Sequence, residues 1–251
     1  IPHVEAAAQW LRHLGIPAVR VSWRAPSGLV DALRKKKIRV HVMTDPPCPG
    51  RMVKTAEEIA QIRGVQRAAV RAMRRAVTLL CRADTGSRGV LKLDGRSLTA
   101  GRLRREIETT LLEYDCEGGD TIVACGDQAV DPHERGHGPL RARAFIVIDI
   151  FPRSRKTGYW GDLTRTWIRD EISPKQRAMY RAVLRAQREA IEAVRPGVRG
   201  STVHAAAADR LKAEGFETFD RGNGPEGFIH GTGHGVGLDI HEPPRISTAR
   251  G

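Results

Sequence analysis

No stretch of this chain approaches the roughly 20 consecutive apolar residues that a membrane-spanning helix requires, so no membrane partner is expected. The first residues do not read as a signal peptide. An initiator methionine is missing, and the natural N-terminus is expected to lie upstream. Cysteine is scarce: Cys48, Cys81, Cys116 and Cys125 are scattered, with no CxxC spacing. They read as reduced thiols of a cytoplasmic protein, with disulfides as the alternative. None has an obvious His or Asn partner that would make it a nucleophile. Lysine is also scarce, 8 against 34 arginines in a chain of net charge +13 and pI 10.3. Such a balance raises nucleic-acid binding, but the arginines are spread along helices and only Arg34–Lys37 forms a compact run. Solvated helix faces are the better reading, and no nucleic-acid partner is expected. What remains is a 251-residue chain with 40% hydrophobic residues and 26 glycines, which fits a globular α/β protein and leaves no case for disorder.

Residues 1–50 read as the tail of a small α/β domain. VEAAAQWLRHLG has helical spacing and stops at Gly15. Ala18–Ser22 and Ile38–Met43 are β-like, with helix expected over Gly28–Arg34. The segment 44–51 (TDPPCPGR) is a Pro/Gly linker and the best domain boundary, which places a second domain at 51–251. That domain opens on a capping box, Thr55 and Glu58, and its helix is expected to reach about Leu80 with Ile59, Ile62, Ala69 and Met73 buried. A helix over 100–114, a strand at 122–126 and a loop over 127–138 follow. Ser173, Pro174 and Gln176 form a second capping box, and Ser201 is read as opening a shorter helix closed by Gly215. Helix, helix, then β-rich segment thus occurs twice, which makes a structural duplication plausible.

Two segments carry chemistry. FIVIDI (145–150) reads as a strand and YWGDLTRTW (159–167) as the returning strand, joined by PRSRKTG. Folding this hairpin near Arg155 and Lys156 sets Asp149 opposite Asp162. Directly opposed residues have Cβ atoms about 4.5–5.5 Å apart. Two carboxylates there repel unless a cation or a shared proton lies between them, and a metal site is the simplest remedy. The second segment, HGTGHGVGLDIHEPP, carries His230, His234 and His241. Its glycines argue against a helix. Read as extended chain, it points His230 and His234 to one side and leaves glycines on the other, where a backbone or ligand can approach. Imidazole and carboxylate without thiolate suit Mn, Co, Fe or Zn. His133 and His137 lie in an Asp/Gly/Pro loop where a polar side chain can face a ligand. Glu242 is a ligand candidate by type alone, its direction left open by the Pro-Pro that follows.

Together, VKTAEEIAQIR (53–63), ACGDQAVDPH (124–133), the aspartate hairpin (147–167) and the histidine segment (230–244) resemble the M24 metallopeptidase family. The resemblance implies the pita-bread fold, α/β (α+β), with a mixed, largely antiparallel sheet and outer helices. It implies a centre of two divalent metal ions, manganese foremost with Co, Zn or Fe as alternatives, with Asp149, Asp162 and His234 as ligands. His133, His230 and His241 then match the histidines that hold substrate and stabilise the tetrahedral intermediate. A metal-bridging hydroxide would attack the peptide carbonyl. Residues 1–50 resemble the end of a creatinase-type N-terminal domain, which favours peptides with proline in second position. Xaa-Pro aminopeptidase is the first expectation, prolidase (an Xaa-Pro dipeptidase) the alternative, and a non-catalytic binding module on the same fold the third. The partner is then a peptide, and a homodimer is left open. The family also uses two glutamates beyond the histidine segment, which this chain does not reach. The expectation is therefore a piece of a longer protein, truncated at both ends and inactive by itself.

Overall fold

The computed structural model describes residues 2–43, 49–220, 222 and 224–248. The expected linker falls largely on Thr44–Cys48, and Cys48 with it, outside the described residues. The chain divides into two compact units, Ile1–Val53 and Lys54–Gly251.

In the first unit, α1 (Pro2–His13), β1 (Ala18–Ser22), α2 (Ser27–Lys35) and β2 (Arg39–Met43) follow one another. Gly15 ends α1 at φ 65°, a conformation glycine adopts without steric penalty. The helix between β1 and β2 lets them pair in parallel, Ala18 against Arg39. Val4, Ala8, Leu33 and Ile38 form the core.

The second unit begins with α3 (Ala56–Arg82), whose reciprocal capping box joins Thr55 and Glu58. Its buried stripe starts at Val65 and continues through Ala68, Ala69, Ala72, Met73, Ala76, Leu79 and Leu80. Ile59, expected to be buried, is exposed, because the first turn is anchored by polar caps and not by packing. A small sheet of β3 (Asp84–Thr85), β4 (Leu91–Leu93) and β5 (Arg96–Ser97) leads to α4 (Ala100–Leu112), and α4 packs on α3 through Leu103, Ile107 and Leu111.

After the short β6 (Cys116–Glu117) come β7 (Ile122–Cys125), β8 (Ile146–Ile150), β9 (Arg153–Ser154) and β10 (Leu163–Trp167). The order β10-β8-β7 is antiparallel, and β6 pairs with β9. The strand period of two is plain in β8: Ile146, Ile148 and Ile150 are fully buried in the core that α3 and α4 cover, so Val147 and Asp149 face the other way.

The second helical pair is α5 (Pro174–Ala193) and α6 (Gly200–Ala213). The box at Ser173 and Gln176 is formed as expected. Ala182, Ala186 and Ala190, four residues apart, present a small-residue ridge to Val203, Ala207 and Leu211 of α6. Ser201 does not open α6. The helix starts one residue earlier, at Gly200, with Arg199 in the N-cap position and no side-chain cap; Gly200 lies against the Arg245 carbonyl, where a Cβ would approach to 2.3 Å. Short strands β11 (Phe219–Asp220), β12 (Pro225–Glu226), β13 (Gly233–Gly235) and β14 (Glu242–Ile246) complete the described chain. No helix among the described residues is long and apolar enough to cross a membrane. Cys81, Cys116 and Cys125 are free thiols.

Candidate metal centre

The aspartate hairpin turns one residue later than its residue count suggests. Ser154 N–H donates to the Tyr159 carbonyl (2.8 Å) and Gly158 N–H to the Ser154 carbonyl (2.9 Å), with Gly158 at φ 77°. This left-handed glycine closes a four-residue loop, Arg155–Gly158, centred between Lys156 and Thr157. Moving the axis by one residue moves the pairing by two. Asp149 therefore opposes Thr164, not Asp162 as expected, and Leu163 opposes Ile150. A two-residue shift preserves the face, so Asp162 remains beside Asp149 as a diagonal neighbour. The returning strand is shorter than expected, starting at Leu163 and preceded by a single bridge from Trp160 to Arg153.

Helix α3 holds the arm before β10. Tyr159 Oη donates to Glu58 Oε1 (2.9 Å), and the Gln66 carboxamide bonds the backbone of Asp162. Trp160 then reaches the histidine segment: its backbone N–H donates to the Gly237 carbonyl (2.8 Å) and its indole N–H to the Leu238 carbonyl (3.1 Å).

The histidine segment is only briefly extended. His234 pairs with Arg245, a bulge follows, and Gly235 pairs with Glu242. The returning backbone lies so close that a Cβ on Gly235 would sit 2.4 Å from the Pro243 carbonyl oxygen. This hairpin brings His241 back onto His234, ring centroids 4.3 Å apart and nearly perpendicular. The common direction expected of His230 and His234 rests on an extended chain, and only Gly233–Gly235 forms strand there. His230 is exposed, packs edge-on against Phe228 at 5.2 Å and bonds the Gly231 carbonyl through Nδ1.

His234 is oriented by its Nδ1, 3.0 Å from the Gly235 carbonyl oxygen. A carbonyl only accepts, so Nδ1 carries the proton and Nε2 faces the carboxylates, 3.4 Å from Asp162 Oδ2. Burial is the main force on Asp162; with Asp149 adding to it and His234 opposing it, the carboxyl is pushed up to about 6. Burial also raises Asp149, against the Thr164 hydroxyl that donates to Oδ1 (2.5 Å) and against His234 and His241. Among the described residues neither aspartate pairs with Lys or Arg. The donor set, two crowded carboxylates and an imidazole lone pair, suits a divalent cation. As they stand, no three or more His, Cys, Asp or Glu side chains among the described residues close into a ligating group. Asp162 and His234 lie 3.4 Å apart, with Asp149 on the same face of the hairpin as Asp162.

Not every candidate joins this cluster. His133 sits in its loop with its side chain almost wholly exposed, its backbone N–H bonded to Asp131 Oδ1 at 2.8 Å. His137 contacts Gln128 and Glu134. Glu242, whose direction the sequence left open, turns inward: it is 2% exposed, 2.8 Å from Lys54 Nζ, and accepts from Asp239 N–H. Sequence reasoning missed this pair and the Gln66 contact. The one available signal was Lys54, a cation immediately before the Thr55 cap.

The profile of Metallopeptidase family M24 matches residues 60–251. An Xaa-Pro dipeptidase of Pyrococcus furiosus is 34% identical over 158 residues, 60% of this chain and 42% of that protein. A probable dipeptidase PepE of Mycobacterium tuberculosis is 36% identical over 158 residues, 59% of this chain and 39% of the relative. The chain thus matches about two-fifths of the length of these relatives. Among solved structures, prolidase from Pyrococcus furiosus aligns with TM-score 0.74 at 26% identity, over 92% of this chain and 63% of its own. An X-Pro aminopeptidase from Thermotoga maritima aligns with TM-score 0.76 at 24% identity, over 98% of this chain and 65% of its own, and shows the fold alone. With the match spanning both the aspartate hairpin and the histidine segment, the chain belongs to metallopeptidase family M24, has its pita-bread fold, and by that membership implies divalent metal ions.

Proposed function

We propose that this chain carries part of the catalytic domain of an Xaa-Pro dipeptidase, a hydrolase that splits the bond between an N-terminal residue and proline. The observation that supports it best is the convergence of Asp149, Asp162 and His234, with two half-buried carboxylates crowded on one face and a carbonyl-oriented imidazole beside them. The relatives at 34% and 36% identity bear dipeptidase names, which favours the dipeptidase over the aminopeptidase that the N-terminal resemblance put first.

Asp149 and Asp162 would supply the anionic ligands and His234 Nε2 the neutral one for a pair of divalent ions, manganese the leading candidate. Such ions supply Lewis acidity and a nucleophile near neutral pH. His241, packed on His234, would donate to the charge developing on the substrate oxygen. His230 and His133 keep the substrate-facing role of the resemblance, and both are exposed and open to a peptide. Thr164 donates a hydrogen bond to Asp149 through its hydroxyl.

Turnover of Xaa-Pro against Xaa-Pro-Yaa by the full-length protein, supplied with Mn²⁺ or Co²⁺, tests this. Cleavage of the dipeptide alone is expected. Preference for the tripeptide transfers the assignment to the aminopeptidase, and cleavage of neither defeats both.

A further inference from the structure

We propose that Gln66 is a positioning residue for the Asp162 carboxylate, acting through the backbone of that aspartate; this rests on the metal-centre reading above. Gln66 Oε1 accepts from Asp162 N–H at 2.9 Å, and Gln66 Nε2 donates to the Asp162 carbonyl at 2.8 Å. The carboxamide therefore meets Asp162 as the peptide group of a neighbouring strand would. The hairpin register explains why a partner is required. Gly161 N–H bonds the Pro152 carbonyl and Leu163 pairs with Ile150, so the alternation of the antiparallel ladder turns the polar groups of Asp162 away from β8. Among the described residues no strand lies on that side of β10. Half-buried and unpaired, these groups would be costly.

Only a carboxamide both accepts and donates in this geometry. Glutamate keeps the acceptor alone, and a cation keeps the donor alone. Gly161 supplies the room: a Cβ there would lie 3.2 Å from Gln66 N, Gln66 Oε1 and the Val65 carbonyl carbon, so strand and helix touch at this point. With its N–H and C=O both tied to α3, Asp162 retains only its side-chain torsions, and its carboxylate is aimed at His234. Ligands held in this way bind metal more tightly than ligands that must be ordered on binding.

The test uses the full-length protein with Gln66→Met, which keeps length and helix propensity but forms neither bond, and Gln66→Glu, which keeps the acceptor. Three readouts are taken: Mn²⁺ affinity by calorimetry, melting temperature without metal, and hydrogen exchange at the Asp162 amide. Gln66→Met is expected to weaken Mn²⁺ binding about 10- to 100-fold and to speed exchange at Asp162, and Gln66→Glu to do less of both. A purely structural role would lower the melting temperature and leave the affinity of the folded protein unchanged. Affinity within about twofold of the unaltered protein, in whichever variants fold, overturns the inference. Failure of the unaltered protein to bind Mn²⁺ or Co²⁺ removes the metal reading and this role with it, whereas the first outcome, tight binding insensitive to Gln66, removes this role alone.

Discussion

The two halves of the candidate centre are held by different kinds of structure. Asp149 stands on a sheet whose other face is a continuous apolar core, and Ile146, Ile148 and Ile150 fix which way it points, while Asp162, one residue before β10, is tied through its backbone to Gln66. The imidazoles stand on a glycine-laced hairpin with three residues in β13 and a bulge beside His234. Discrete polar anchors replace the core there: Trp160 to Gly237 and Leu238, His204 to Thr232, and Lys54 to Glu242. A face set by burial tolerates the loss of one contact, because many side chains share the task. A loop set by a few bonds does not.

The largest expected effect follows from the ion pair. Glu242 is almost fully enclosed and Lys54 nearly so. Removing one member of a buried pair weakens the compensation of the other charge, at a cost of up to about 3–5 kcal/mol. Lys54→Met should therefore destabilise the second unit by about 3 kcal/mol, and Lys54→Met with Glu242→Gln should recover much of that. Urea denaturation of the four proteins in this cycle measures the coupling. Hydrogen exchange sharpens the contrast: amides over 233–246 should lose protection while those of β8 keep theirs. Equal loss in both segments would erase the proposed division of labour.

Next in size are two glycines, one on each side. A methyl group at Gly235 would meet the Pro243 carbonyl oxygen at 2.4 Å and the Glu242 carbonyl oxygen at 2.9 Å, all rigid backbone. At Gly161 the nearest atoms are 3.2 Å away and include the movable end of the Gln66 side chain. Overpacking costs about 1–3 kcal/mol. Gly235→Ala is expected near the upper end and Gly161→Ala near the lower, read from thermal or chemical denaturation. The reverse order would mean that the carboxylate arm is the less adaptable of the two.

The same contrast explains what could be read in advance. Both capping boxes, the strand at β8 and the strand–helix–strand order around α2 are local patterns, written in residues close together in the chain. The facing of Asp149 and Asp162 was legible for the same reason, although their register was not: it depends on Gly158 taking a left-handed conformation at the end of the four-residue loop. The close approach of Gly200 to the Arg245 carbonyl joins residues 45 apart in sequence. Lys54 with Glu242 and Gln66 with Asp162 join residues 188 and 96 apart. No periodicity signals such pairs, and a glutamate followed by two prolines reads equally well as surface.

The smallest expected effect bears on the carboxylates themselves, in metal-free protein. Burial first, then Asp149, raises Asp162 from the ordinary 3.8 to about 6. The folded state thus holds this proton more tightly than the unfolded chain does. The associated stability is fully present below about pH 4 and is lost as pH rises through about 6. Asp162 is a third exposed, so solvent screening reduces the effect to about 1 kcal/mol. Other carboxylates slope the opposite way, Glu58 and Glu214 both being held below their usual range. The difference between the unaltered protein and Asp162→Asn isolates the one group: in denaturation at pH 4 and pH 7, the advantage of the Asn variant should grow with pH. Added Mn²⁺ should reverse that advantage, since a cation held by the two carboxylates offsets their charge and the Asn variant has one charge fewer to hold it. A variant that gains nothing between pH 4 and 7 would mean that the aspartates do not share a buried face, and the contrast between a core-fixed and a bond-fixed half would lose its first member.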